Sequence, residues 1–320
     1  MIRKYTIHFT KTRPSVRGFR AVFLPVFAAL CIASASAAGQ AVPMIAVSIL
    51  PQSEFVARIG GDRVRILTLV GPGASPHSYE PTPRQMAELS GAAIWFSIGV
   101  EFENALLPKV KSLYPKLKIV NSAQGISYRT LETHDHEEEA PEARAADEDH
   151  DEGGIDPHVW LGLDAVRLQL ATIRDTLIAL KPADAAYFRA NHDAYRGEID
   201  TLFADLSKQL APLRGATAFV YHPSFGYFLD NFGIRQEAVE VGGKEPTQKT
   251  LALLIKNAKA DGAKVIFVQK QFSSAAAQTV AAAIGGVVVQ IDPLAGNWLE
   301  NIGIMGEALK RAALKQAATR

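Results

Sequence analysis

Continuous apolar runs, rather than alternating ones, mark the strands of this chain. Met44–Ile49, Val64–Val70 and Ala92–Ile98 are such runs, and Lys118–Val120 begins a fourth. Between them the pattern changes to helical segments. Ser53–Ile59 is a short helix closed by Gly60-Gly61, and Pro83–Leu89 is another, with Thr82 as its cap and Pro83 at its first position. Later in the chain the scheme returns. Strands are expected at Ala216–Tyr221, Val265–Val268 and Val287–Ile291, with helices near Thr247–Ala260, Ser274–Ile284 and Trp298–Lys315. Strands apolar on both faces, alternating with helices, imply parallel sheets covered by helices. The expected fold class is α/β, with two lobes of mostly parallel sheet.

A long helical stretch from about Ala183 to Leu210 separates the two halves. Phe188, Tyr195, Ile199, Leu202, Leu206 and Leu210 share one helix face. Twenty-eight residues at about 1.5 Å each span roughly 42 Å, enough to run along both halves and join them stiffly. The expected organisation is a lobe over 39–182, a linking helix over 183–211 and a second lobe over 212–320.

The first residues read as a targeting segment. Residues 1–20 carry six basic residues and no acid, Ala21–Ala33 is apolar, and Ser34–Ala38 are small. That order is a secretory signal peptide over 1–38, with cleavage after Ala35 or Ala38. An apolar stretch of 13 residues is too short to span a bilayer as a helix. Cys31 is the only cysteine and leaves with the signal, and Leu30 before it is too large for a lipid-attachment box. The mature protein is then expected in the periplasm without a lipid anchor. Any metal site in it must be built from His, Asp and Glu.

Composition narrows the classes. The chain has 320 residues, 48% hydrophobic, and a net charge of +1. An ordinary apolar fraction excludes wholesale disorder, and the balanced charge gives no footprint for nucleic acid. Charge is nonetheless uneven, because Glu132–Asp156 holds 12 acids, one base (Arg144) and three histidines, His134, His136 and His150. With almost nothing apolar to bury, this segment reads as a loop. It is either a solvated linker or a transient, low-affinity collector of divalent cations.

Four residues stand where ligands are expected. In open parallel sheets, ligands bind beyond the carboxyl ends of the strands. His77 lies in the loop after the strand ending at Val70, His222 directly follows Ala216–Tyr221, and Asp292 directly follows Val287–Ile291. His158 ends the acidic loop, just before a helix starting near Asp164. Three imidazoles and a carboxylate make a tetrahedral set for a borderline divalent ion. Taken singly, each has a structural explanation; Asp292 before Pro293, for one, can simply cap a turn. His192, alone on a polar stretch of the long helix, is read as structural. Glu245 either supports a ligand imidazole or is a loop acid ahead of the helix near Thr247.

These motifs are together similar to one family. PHSYEPTP with His77, DPHVW with His158, YHPSFGYF with His222 and IDPLAGNW with Asp292 resemble, in order and spacing, the metal-specific solute-binding proteins of bacterial zinc and manganese ABC importers. The resemblance implies two α/β lobes bridged by one long helix, with metal in the cleft between them. It assigns His77 and His158 to the first lobe, His222 and Asp292 to the second. Members thought to carry manganese place a carboxylate where this chain has His222, so the resemblance favours the zinc branch. Zn²⁺ is then bound as cargo, with Mn²⁺ the lesser candidate, and the partner is the importer's membrane permease. A monomer is expected.

Rival readings are a manganese- or iron-specific binding protein of the same type, a periplasmic zinc chaperone, and a zinc hydrolase. In a hydrolase Asp292 would stay off the metal and serve as a general base, with Glu80 and Glu245 as further candidates. The chain lacks the H-E-x-x-H and G-x-S-x-G motifs of such enzymes.

Overall fold

The computed structural model describes residues 41–131, 154–238, 248–261, 263, 265–270 and 275–317. Two four-stranded sheets, every pairing parallel, form its frame. The first contains β1 (Met44–Val47), β2 (Arg65–Thr68), β3 (Ile94–Ser97) and β4 (Lys118–Asn121), in the order β2-β1-β3-β4. Around it lie α1 (Leu50–Gly60), α2 (Pro83–Ser90), α3 (Glu101–Leu113) and α4 (Leu163–Leu180). After the long α5 (Ala185–Leu210), the second sheet repeats that order as β6-β5-β7-β8. It is built from β5 (Thr217–Val220), β6 (Arg235–Ala238), β7 (Val265–Gln269) and β8 (Val287–Ile291). Its helices are α6 (Gly226–Asp230), α7 (Gln248–Ala260), α8 (Ala275–Ala283) and α9 (Trp298–Ala317).

Both sheets therefore start at an inner strand, step to one edge and cross back to the other side. The crevice at that reversal, beside the tips of β1 and β5, is where ligands collect in doubly wound sheets.

Strand periodicity explains how the second lobe faces two ways. Ala218, Val220, Val265 and Phe267 join a core that runs through the first lobe, α5 and α9. Their neighbours Phe219, Tyr221, Ile266 and Val268 point to the opposite face and pack with Leu254 of α7 and Val280 of α8 in a separate cluster. Apolar residues on both faces are what the uninterrupted runs required.

The long helix is 26 residues, close to its predicted span. It lies against α1 and α4 of the first lobe and α9 of the second. Gly306 permits the last contact, since a Cβ there would sit 2.3 Å from a Leu206 methyl. Phe203, rather than Leu202, is the fully buried residue of that turn. The Thr82 cap is present, its Oγ1 accepting from the Gln85 N–H at 3.2 Å. Among the labelled strands and α-helices, three were not expected from the sequence: β6, whose residues RQEA carry no apolar run, α3, which contains Pro108, and the five-residue α6. Among the described residues no helix is long and apolar enough to cross a membrane.

Candidate metal centre

Three of the four predicted ligands converge. His77, His158 and His222 each offer a ring nitrogen, and the three nitrogens lie within 4.8 Å of one another. His77 Nε2 is 3.2 Å from His222 Nε2. Ring centroids are 4.9 Å apart for His77–His222, 5.3 Å for His158–His222 and 6.3 Å for His77–His158. Nitrogens about 2.0–2.1 Å from a tetrahedral zinc stand about 3.3 Å from each other, so the His77–His222 pair already has that spacing. His158 and His222 are buried, whereas His77 keeps about a third of its side chain in solvent.

Each histidine is aimed by its own surroundings. His77 rides the β2–α2 loop, which is fastened by Tyr79 packing edge-on to Phe102, centroids 4.9 Å apart. Its Nδ1 pairs with the Glu101 carboxylate at 2.9 Å, one residue before Phe102. His158 Nδ1 is 2.8 Å from Asp156 Oδ1, which also accepts the His158 backbone N–H at 2.9 Å. Burial alone would raise the Asp156 pKa, but the bonds and charge of His158, together with the Arg129 guanidinium, hold it below the usual carboxylate value. An ionised Asp156 can only accept, so the proton sits on Nδ1 of His158 and the Nε2 lone pair is left for a ligand. This carboxylate–histidine arrangement is common behind metal-binding imidazoles. His222 is aimed through its main chain. Gln269, at the end of β7, accepts from the His222 N–H at 3.3 Å and donates to its carbonyl at 2.7 Å and to Ser224 Oγ at 2.7 Å.

Asp292 lies outside the three-histidine set. It is half-buried, its Oδ1 accepts the Leu294 N–H at 3.0 Å, and Asn301 Nδ2 donates to its carbonyl at 2.6 Å. It is nevertheless tied to the His158 segment by two buried tryptophans. Trp160 Nε1 donates to the carbonyl of Pro293 at 2.8 Å, and Trp298 Nε1 donates to the carbonyl of Trp160 at 2.7 Å. His134, His136, His150 and Glu245 lie outside the described residues. His192 is not on a polar face as read from its neighbours in sequence. It is buried on α5, bonded to Asp193 at 2.8 Å and near Arg174, apart from the three-histidine set.

Sequence reasoning passed over Glu101, Asp156 and Arg129. Asp156 had a readable signal, because a D-x-H spacing lets the carboxylate reach both the backbone and the ring of its own histidine. Glu101 is 24 residues from His77 and Arg129 is 27 from Asp156, so neither carries a local signal.

Comparison with known proteins decides the family. Residues 45–312 match the family model described as zinc-uptake complex component A, periplasmic (ZnuA). This chain belongs to the ZnuA family. A crystal structure of ZnuA superposes with a TM-score of 0.75 at 35% identity, covering 85% of this chain and 99% of that one. A zinc-bound deletion mutant of ZnuA gives 0.75 at 34% identity, over 85% and 98% of the two chains. The zinc-binding protein AdcA of Streptococcus pyogenes serotype M3 is 27% identical over 259 residues, 79% of this chain. The chain spans about half the length of the curated AdcA relatives it matches. The ZnuA family is a periplasmic binding component of zinc uptake, which sets the hydrolase reading aside. Its fold is the two-lobed one with a long bridging helix.

Proposed function

We propose that this chain captures Zn²⁺ in the periplasm between its two lobes and delivers it to the membrane permease of an ABC importer. The observation that carries the reading is the convergence of three imidazole nitrogens within 4.8 Å. Two of those imidazoles have carboxylate partners on Nδ1. His77, His158 and His222 are the ligands, and Asp292 supplies the fourth by an approach of the 292–298 segment. Three neutral imidazoles with a single carboxylate suit zinc, whereas manganese prefers more oxygen. The zinc-bound ZnuA relative supports the same cargo. The mature chain acts as a monomer, free of a lipid anchor after its leader is removed.

The test is a competition titration of the metal-stripped mature chain against a zinc chelator, repeated with manganese at the same pH. One tight zinc per chain with weak manganese is expected. Tight manganese would overturn the cargo, and no tight site would overturn the centre itself.

A further inference from the structure

We propose that Arg129 is a positioning residue that ties the geometry of the His158 ligand to the seating of the second lobe. The inference rests on His158 being a zinc ligand. Arg129 stands at the base of a short antiparallel ribbon, where the Asp156 N–H donates to its carbonyl at 2.9 Å and Thr130 bridges Ile155. Its guanidinium reaches both ways. Nη1 donates to Asp156 Oδ2 at 3.2 Å, and Nε donates to Asp230 Oδ2 at 2.6 Å, on α6 of the second lobe. The two oxygens of the fully buried Asp156 are thus divided, Oδ1 to the ligand imidazole and Oδ2 to the arginine.

Helix α6 grips the same point a second time. Tyr227, three residues before Asp230, accepts the Arg129 N–H at 2.9 Å and donates to the Asp156 carbonyl at 3.0 Å. Room for the guanidinium comes from Gly226, where a Cβ would lie 1.6 Å from Nη1. A buried carboxylate that orients an imidazole needs a fixed countercharge, and here that charge is held in place from the opposite lobe. Asp230 touches no proposed ligand, yet its lobe's position reaches His158 through two ionic contacts.

Chase of bound zinc by excess chelator, in the full mature chain, measures the effect as a dissociation rate. Gly226→Ala changes no charge but displaces the guanidinium, and we expect zinc to leave about tenfold faster, the lower end for loss of a ligand's orienting partner. In an Asp156→Asn background the same substitution should add nothing, because the path it cuts is already gone. A rate within twofold of the parent, or effects that multiply independently in the double variant, would overturn the proposal. Should Gly226→Ala fail to fold, Asp230→Asn takes its place, read at low and high salt. A loss that persists in high salt supports positioning, and one that salt abolishes is a distant charge effect and overturns it. If the parent chain itself holds no tight zinc, the failure belongs to the metal reading and not to Arg129.

Discussion

The tips of β1 and β5 occupy the same place in two sheets of the same strand order, yet they are put to different uses. Beyond β5 the chain delivers His222 to the crevice. Beyond β1 it delivers Ser48 and Ile49 to a buried polar cluster instead. Gln52 Oε1 accepts from the N–H groups of Ser48 and Ile49 at 2.9 and 3.3 Å, and its Nε2 donates to Ser122 Oγ at 3.0 Å. Trp95 Nε1 donates to Ser48 Oγ, which in turn donates to the buried carboxylate of Glu103. Glu103 also accepts the N–H groups of Ile98 and Gly99. A glutamine clamps the strand end in both lobes, Gln52 in one and Gln269 in the other. Only the second holds a candidate ligand. The first lobe, its central tip locked, brings its histidines from peripheral connections, the β2–α2 loop and the segment before α4. The lesson is that repeated topology supplies equivalent crevices, while local hydrogen bonding decides which one is chemical and which is a fastener.

The sharpest way to break this contrast is to remove each clamp. Gln52→Ala leaves several buried donors and acceptors unpaired and should cost on the order of 3 kcal/mol in urea unfolding of the metal-free chain. Zinc affinity of the folded fraction should stay unchanged. Gln269→Ala should cost about 2 kcal/mol and also weaken zinc roughly tenfold, because the His222 backbone loses its fixed seat. Equal effects of the two substitutions on zinc would erase the distinction.

A smaller effect separates the two buried carboxylates by sign. Burial pushes the Glu103 carboxyl up from its ordinary value of 4.5, only partly offset by the bonds from Ser48, Gly99 and Ile98. The folded state then holds its proton more tightly than the unfolded chain, so Glu103 makes stability fall as pH rises from 4.5 through the raised folded value. Asp156 is depressed below 3.8, so its contribution is complete above that value and is lost as pH falls through the lowered one. Each slope is at most about 1.4 kcal/mol per pH unit. Thermal melts of the metal-free chain across acid pH should lose the first slope in Glu103→Gln and the second in Asp156→Asn.

The smallest effect lies at the exposed end of the site. Glu101 is 64% exposed where it meets His77. Glu101→Gln should weaken zinc only a few-fold, under the roughly tenfold typical of a buried partner, with no change in stability. A loss as large as that of Asp156→Asn in chelator competition would show that exposure does not grade these partners.

What was legible in the sequence follows the same division. The three histidines were readable because each sits in a contiguous string, His222 just beyond a strand, His77 in a Gly/Pro loop and His158 before a helix, and the both-faces-apolar runs dictated parallel sheets. β6 escaped notice because an edge strand with Arg235 exposed needs no apolar run. Glu101 and Arg129 escaped because the folded sheet, not the spacing, brings them to their partners. Strand order places Asp292 beyond β8, but it does not determine the seating of the segment that follows, and Asp292 lies outside the three-histidine set.

All three tryptophans of the chain, Trp95, Trp160 and Trp298, are almost wholly shielded from solvent. The ring of Trp160 meets that of His158 edge-on with centroids 5.2 Å apart, and its indole is bonded across to the second lobe. Trp95 stands instead beside the Ser48–Glu103 cluster. The native protein therefore carries its own optical probes, needing no dye: the Trp160 indole is placed to sense the neighbouring imidazole, with Trp298 bonded to its carbonyl, and Trp95 stands apart in the first lobe.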